Sequence, residues 1–234
     1  WQPQAPQLDL PALDPQAALT FKLVEAHLTK VLPASTLSYL APWFRNAAGV
    51  LDAHENGLSR WPGKIRVLSS GLPLSAPIID ADAQALVYQA VLNEKQLELA
   101  YQPRGADAEK TYRVHPLALV VKDQIVYLLC TMWDYDEIRQ LALHRIRSAT
   151  LRDEAALRPP DFNLDAYVAE GAFGYRLGAT PLFLVAEFSR KAAVHLAECP
   201  LSADQTLTDT GESRTRVSAT VQDTAELRWW LLGY

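Results

Sequence analysis

The sequence predicts an α+β chain with an N-terminal helical segment, a small SH3/Sm-like β-barrel and a ferredoxin-like βαββα domain at its C-terminal end. Three observations predict it. Apolar residues recur at helical spacing through roughly the first sixty positions. Compact β segments then follow one another, joined by short polar turns. Beyond the paired prolines Pro159 and Pro160 the pattern reads strand, helix, strand, strand, helix. Domain limits of 1–60, 61–157 and 158–234 follow from these shifts. The 234 residues are 49% hydrophobic and 21% charged, enough for one large core or two small ones.

Taken in order, WQPQAPQLDLPALDP is punctuated by proline and reads as an extended leading segment. Asp14 before Pro15 is a cap followed by a first-turn proline. The helix it opens carries Phe21, Val24, Leu28 and Val31 on one face. Ser35 opens a second helix, and Pro42 divides it or starts a third, with Trp43, Phe44, Ala47 and Leu51 for core or dimer packing. KIRVLSS (64–70) is a short strand candidate and GLPLSAP a loop. Asp80 or Asp82 then caps a helix whose Ala83, Val87, Ala90 and Val91 share a face.

The barrel segments are QLELAYQ (96–102), TYRVHPLALVV (111–121), QIVYLLCT (124–131) and EIRQLALHRIRSATL (137–151), the last read as one strand. PRGADAEK is a polar connection, and Lys122-Asp123 makes a tight hairpin. A barrel of this type closes its own edges and presents one rim for binding. RPPDFNLDAY (158–167) reads as a linker. PLFLVAEF (181–188) is a strand, Ser189 caps SRKAAVHLAE, QTLTDT and RTRVSATV form a hairpin across Gly211-Glu212, and Asp223 with Glu226 resembles a capping box. Such a unit ordinarily continues to a final strand, so the expectation is a truncated end or an edge completed by something else.

Net charge is −5 with a pI near 5.5, so nucleic-acid contact requires a local basic patch. Two cysteines without a CxxC spacing, Cys130 and Cys199, fit a reducing cytoplasm and neither a disulfide framework nor a zinc site. No signal peptide or membrane-length apolar run is visible. The chain begins at Trp1 rather than Met, which reads as a fragment or processed form.

Guanidinium groups on strands carry the chemistry. Strict alternation places Arg139, Leu141, Leu143 and Arg145 on one face, with Ile138, Ala142, His144 and Ile146 on the other. Arg113 and His115 share a face with Leu117 and Leu119, and Tyr101 closes the face of Leu97 and Leu99. In a compact barrel Tyr101, Arg113, Arg139 and Arg145 converge at one rim. Half-covered guanidiniums need anionic partners. A carboxylate serves for any one of them, Glu137 or Asp136 for Arg139. For the cluster with Tyr101 and His115 a phosphate-bearing ligand is the better partner, because a guanidinium fork matches phosphate and a tyrosine supplies a stacking face. DYDE (134–137) reads as a solvated turn, and His27, His54 and His195 as helix-surface residues. No GxSxG elbow, GxGxxG or Walker loop occurs, and no metal-ligand spacing. The reading is therefore a binding module without cofactor or metal.

HPLALVVKDQIVYLLC followed by EIRQLALHRI resembles the WYL-domain family of bacterial transcriptional regulators. Val126, Tyr127 and Leu128 stand at the name-giving triplet, with valine in place of tryptophan. Tyr101, Arg113 before His115-Pro116, Arg139, and His144-Arg145-Ile146 complete the match. The stretch from Phe162 through AELRWWLLGY resembles the C-terminal extension domain of these regulators, and Asp14 to about Asp52 their connecting region. The resemblance implies a ligand-sensing barrel lined by Tyr101, Arg113, His115, Arg139, His144 and Arg145, with single-stranded nucleic acid or a nucleotide as ligand. It implies a cytoplasmic homodimer without membrane contact, and operator DNA bound through an N-terminal winged helix-turn-helix, which is not recognisable in this sequence. Some members of the family control phage-defence or DNA-damage genes, repressors among them. Two other readings stay open: a nucleotide-acting enzyme using His115 or His144 as acid/base, and a structural dimerisation scaffold whose arginines sit in internal ion pairs.

Overall fold

The structure, a computed structural model, describes residues 13–28, 31–53, 57–65, 74–211 and 213–233. They divide into two units, Trp1–Pro159 and Pro160–Tyr234. The proline-rich leading segment up to residue 12, His54, and residues 66–70 of the KIRVLSS candidate lie outside the described residues.

The first unit opens with helices α1 (Pro15–Leu28) and α2 (Ala34–Ala53). Asp14 Oδ1 accepts the amides of Gln16 and Ala17, both at 2.8 Å, satisfying donors that a helix start leaves unpaired. Ala18, Ala47 and Leu51 bury together, and the Phe21 ring stacks on Trp43 with centroids 5.7 Å apart. Pro42 neither divides α2 nor starts a new helix; it lies inside one continuous element. A proline there costs about 3 kcal/mol. Burial of Phe44, Ala47 and Leu51 in the second half of the helix offsets that cost.

Helix α3 (Ala81–Leu92) is capped by Asp80, whose Oδ1 accepts the Ala83 amide at 2.8 Å. Its Ala83, Val87, Tyr88 and Ala90 pack on a five-stranded antiparallel sheet. The strands are β1 (Lys95–Tyr101), β2 (Lys110–Lys122), β3 (Ile125–Met132), β4 (Tyr135–Ala142) and β5 (Ile146–Ala155), in the order β4-β3-β2-β1-β5. Leu97, Leu99, Val114, Leu128, Cys130 and Leu143 fill the space beneath α3.

The segment 137–151 is not one strand. A 3₁₀ turn, Leu143–Arg145, separates β4 from β5. β4 pairs with β3 at one edge of the sheet while β5 pairs with β1 at the other, so the chain must leave one ladder before joining the next. The buried Tyr101 side chain helps hold the crossing, its hydroxyl accepting the Ala142 amide at 3.3 Å. Nor is the barrel closed. Among the described residues no ladder joins β4 to β5, and both remain edges.

In the second unit the stretch expected as a linker contains a short helix, α4 (Leu164–Ala169), because Asn163 Oδ1 takes the Ala166 amide at 2.9 Å. Then come β6 (Leu182–Ser189), α5 (Arg190–Glu198), β7 (Thr206–Gly211), β8 (Arg214–Val221) and α6 (Ala225–Leu232), with sheet order β6-β8-β7. Phe188, Ala193, Leu196 and Val217 form the core, with Trp230 against it. Ser189 caps α5 as expected, its Oγ accepting the Ala192 amide at 3.2 Å. For α6 the cap is Thr224 rather than Asp223: Thr224 Oγ1 takes the Leu227 amide at 3.1 Å, leaving the Asp223 carboxylate for Arg228. Gly171 sits at φ +77, where an added Cβ would come within 3.0 Å of the Thr224 methyl. Both the backbone angle and the space call for glycine there. No helix among the described residues is long and apolar enough to cross a membrane.

A candidate ligand face on the first sheet

Cross-strand register decides which side chains share a face of the sheet. Leu97, Leu99 and Tyr101 of β1 stand opposite Val114, Tyr112 and Lys110 of β2, and Val114 stands opposite Met132 of β3. Met132 faces Tyr135 and Cys130 faces Arg139, so Tyr101, Tyr112, Tyr135 and Arg139 belong to the face that α3 partly covers. Arg113 stands opposite Glu98, and His115 opposite Thr131, on the other face. A bulge between Pro116 and Ala118 then returns Leu119 to the α3 side, opposite Leu128. That bulge breaks the alternation that put Arg113, His115, Leu117 and Leu119 together.

The six expected residues therefore do not meet at one rim. Arg113 Nη2 pairs with Asp134 Oδ1 at 3.3 Å. Its charge also bears on Glu154, whose carboxyl is held below the ordinary value first by the Arg152 hydrogen bond. Arg139 pairs with Glu137 at 2.5 Å. His115 is 2% exposed with both ring nitrogens engaged: the Leu157 amide donates to Nδ1 at 2.9 Å, and Nε2 lies 2.7 Å from the Trp133 carbonyl. This pattern fixes the Nε2–H tautomer and leaves no ring nitrogen for a guest.

His144 and Arg145 lie on the 3₁₀ turn, followed closely by Arg147. His144 Nδ1 is buried without a hydrogen-bond partner. Burial pushes the imidazole pKa down, and the neighbouring charges of Arg145 and Arg147 push it further. Arg147 donates to a neutral group, Gln102 Oε1, at 2.6 Å. Among the described residues neither arginine is paired with a carboxylate. Three groups able to carry positive charge thus fall within four residues of sequence.

From Tyr101, which stands opposite Ile146 just past this turn, runs a chain of rings. Tyr101 meets Tyr112 edge-on at 6.4 Å, Tyr112 meets Trp133 at 5.5 Å, and Trp133 meets Tyr135 edge-on at 6.4 Å. The series climbs from buried Tyr101 to Trp133, 40% exposed, and Tyr135, 69% exposed. It ends in an open aromatic ledge at the β3–β4 hairpin. Tyr101 links the two regions only through intermediaries, its ring meeting Tyr112 at the buried start of the series and its hydroxyl accepting the amide that leads into the basic turn. In MWDYDE, Trp133 and Tyr135 flank Asp134, and DYDE is not a turn as expected, since Tyr135, Asp136 and Glu137 open β4.

Cys130 belongs to the interior, where burial drives its thiol pKa up to about 12. Cys199 is exposed.

Residues 82–151 match the model of the WYL domain, and residues 180–234 match that of the WCX domain. No curated protein matches the chain. Among solved structures it is similar to Proteasome accessory factor B/C (PafBC) of Arthrobacter aurescens, at 18% identity and a TM-score of 0.31. That likeness covers 75% of this chain and 25% of the other, so the chain spans about a quarter of that neighbour's length.

Proposed function

The chain belongs to the WYL-domain family of bacterial transcriptional regulators, and we propose that it is the ligand-sensing and dimerising region of such a regulator. Its ligand is a nucleotide or a short single strand of nucleic acid. Phosphate sits against His144, Arg145 and Arg147; a base stacks on Trp133 and Tyr135, with Arg139 on the same face. Tyr101 forms the floor between them. Arg113 and His115 support the hairpin from the opposite face rather than touching the guest.

One observation carries this reading: His144, Arg145 and Arg147 follow Tyr101's hydrogen-bonded partner Ala142 with no carboxylate paired to either arginine among the described residues, and from Tyr101 a series of rings leads to exposed Trp133 and Tyr135. Each charge-assisted contact is worth about 1.5–3 kcal/mol, and each stacked base about 1–3 kcal/mol. The Glu137–Arg139 pair is exposed, so a phosphate can displace the carboxylate at little cost. The ligand shifts the regulator only as far as it binds one arrangement better than the other. Operator DNA is bound by a winged helix-turn-helix outside these residues, in a cytoplasmic homodimer. On this reading 61–157 is the sensor and 158–234 the extension domain. A 3₁₀ turn before the last strand is in keeping with an SH3/Sm-like barrel left open between β4 and β5. The order β6-β8-β7 is that of a ferredoxin-like unit without its final strand.

The test is a titration of labelled single-stranded oligonucleotides and cyclic dinucleotides against wild type, the Arg145→Ala/Arg147→Ala double variant and Trp133→Ala. Each variant is expected to bind at least about tenfold more weakly. Equal binding by all three proteins overturns the site. A second reading, a scaffold with internally paired arginines, draws support from the Arg113–Asp134 and Arg139–Glu137 pairs. It predicts a dimer that binds none of these probes.

A further inference from the structure

His115 joins two places that no ladder hydrogen bond connects. Its Nε2–H holds the carbonyl of Trp133, in the hairpin that carries the aromatic ledge. Its Nδ1 accepts the amide of Leu157, in the segment by which the chain leaves the first unit. Trp133 is an unusual residue to hold. Its φ is +50, a left-handed conformation that bulky side chains seldom adopt. It is kept there through both its backbone groups: the amide donates to the Arg113 carbonyl at 2.9 Å, and the carbonyl accepts from His115. At the other end the chain is anchored at consecutive residues, Ala156 to the Glu94 carbonyl at 2.7 Å and Leu157 to His115. Two prolines, Pro159 and Pro160, follow, and neither has an N–H with which to anchor the chain further.

We infer that His115 is a positioning residue that couples the conformation of the Trp133 hairpin to the anchoring of the segment ending at Leu157. The imidazole is a rigid ring, 2% exposed, so displacement of one hydrogen-bonded end moves the other rather than being absorbed by rotamer change or solvent. A guest that reshapes the ledge then alters how firmly the chain is held as it passes to the second unit. This rests on the ligand reading above for the guest, but the tie itself stands on the two hydrogen bonds.

Two conservative variants cut the tie at different ends. In His115→Asn the side-chain oxygen sits near the place of Nδ1, keeping the Leu157 bond and losing Trp133. In His115→Gln the amide reaches the place of Nε2, keeping Trp133 and losing Leu157. Native-state hydrogen exchange on the full chain reads both ends. The coupling predicts crossed effects: His115→Asn speeds exchange at Leu157, and His115→Gln at Trp133, each roughly tenfold although the local bond is retained. Effects confined to the end that was cut would overturn it and leave His115 a local structural residue. A thymidine decamer supplies the second arm. Bound to wild type it should change Leu157 exchange, and bound to either variant it should not; unchanged exchange in saturated wild type also overturns the coupling. If the decamer binds none of the proteins, the ligand reading fails, and the crossed effects still judge the tie.

Discussion

The sheet of the second unit leaves one face largely bare, whereas the middle of the first sheet is covered on both. In β6, Phe183 and Val185 are 67% and 54% exposed, alternating with Leu182, Leu184 and Ala186, which are half-buried, and with Phe188, which is buried. In β3, Val126, Leu128, Leu129, Cys130 and Thr131 are all buried, although adjacent residues point to opposite faces. Alternation of apolar and polar residues marks a face only where the other face is wet. Where both are covered, side-chain chemistry no longer reports direction, and a single bulge reassigns everything beyond it.

The largest effects are expected from deleting side chains on either side of β3. Leu128→Ala and Leu129→Ala, neighbours facing opposite ways, should each cost about 2–5 kcal/mol in urea unfolding. Phe183→Ser, on the bare face of the second unit, should stay within about 0.5 kcal/mol. A large loss at Phe183, or a small one at Leu129, would contradict the assignment of covered and open faces. Smaller effects belong to the caps, one in each unit. Asp80→Ala and Thr224→Ala should each cost about 1 kcal/mol by the same measurement, while Asp223→Ala should cost less, because its carboxylate does not cap α6.

The smallest effect is expected from His144. Its folded-state pKa lies below the ordinary 6.5 because burial, then Arg145 and Arg147, disfavour the charged ring. The folded state therefore binds fewer protons than the unfolded one in this range. This contribution to stability is fully present above pH 6.5 and falls as the pH drops through 6.5 toward the lowered value. In Arg145→Ala the dependence should weaken. A stability profile over that range indifferent to Arg145 would show that the crowding is not felt.

The same contrast explains what could be read in the residues beforehand. Asp14, Asp80 and Ser189 announced their helices because a capping side chain acts within three residues of itself. In the second unit the strands and helices from β6 to α6 were legible from apolar runs, turn residues and caps, while α4 was read as a linker. Three other features depended on distant partners. The break at Leu143–Arg145 exists because β3 and β1 lie at different places in the sheet, and nothing within LALHRIR marks it. The bulge at Pro116–Ala118 separated Arg113 and His115 from Leu119, while the pairing of Pro116 with Cys130 and of Cys130 with Arg139 puts Arg113 and Arg139 on opposite faces. Continuity of α2 through Pro42 was decided by what its second half buries. Of the candidate site, His144 and Arg145, expected on opposite faces of one strand, instead share the 3₁₀ turn. The rings of Trp133 and Tyr135 join Tyr112 only through the pairing of β2, β3 and β4, which the local sequence does not show.

On the proposed function an anionic guest relieves the crowded turn His144-Arg145-Ile146-Arg147. Titration of the His144 imidazole by NMR, with and without a saturating short oligonucleotide, tests it most directly. A phosphate seated there should raise the His144 pKa toward or beyond 6.5 in wild type, and leave it unmoved in the Arg145→Ala/Arg147→Ala protein. An unchanged His144 titration in oligonucleotide-saturated wild type would contradict the account.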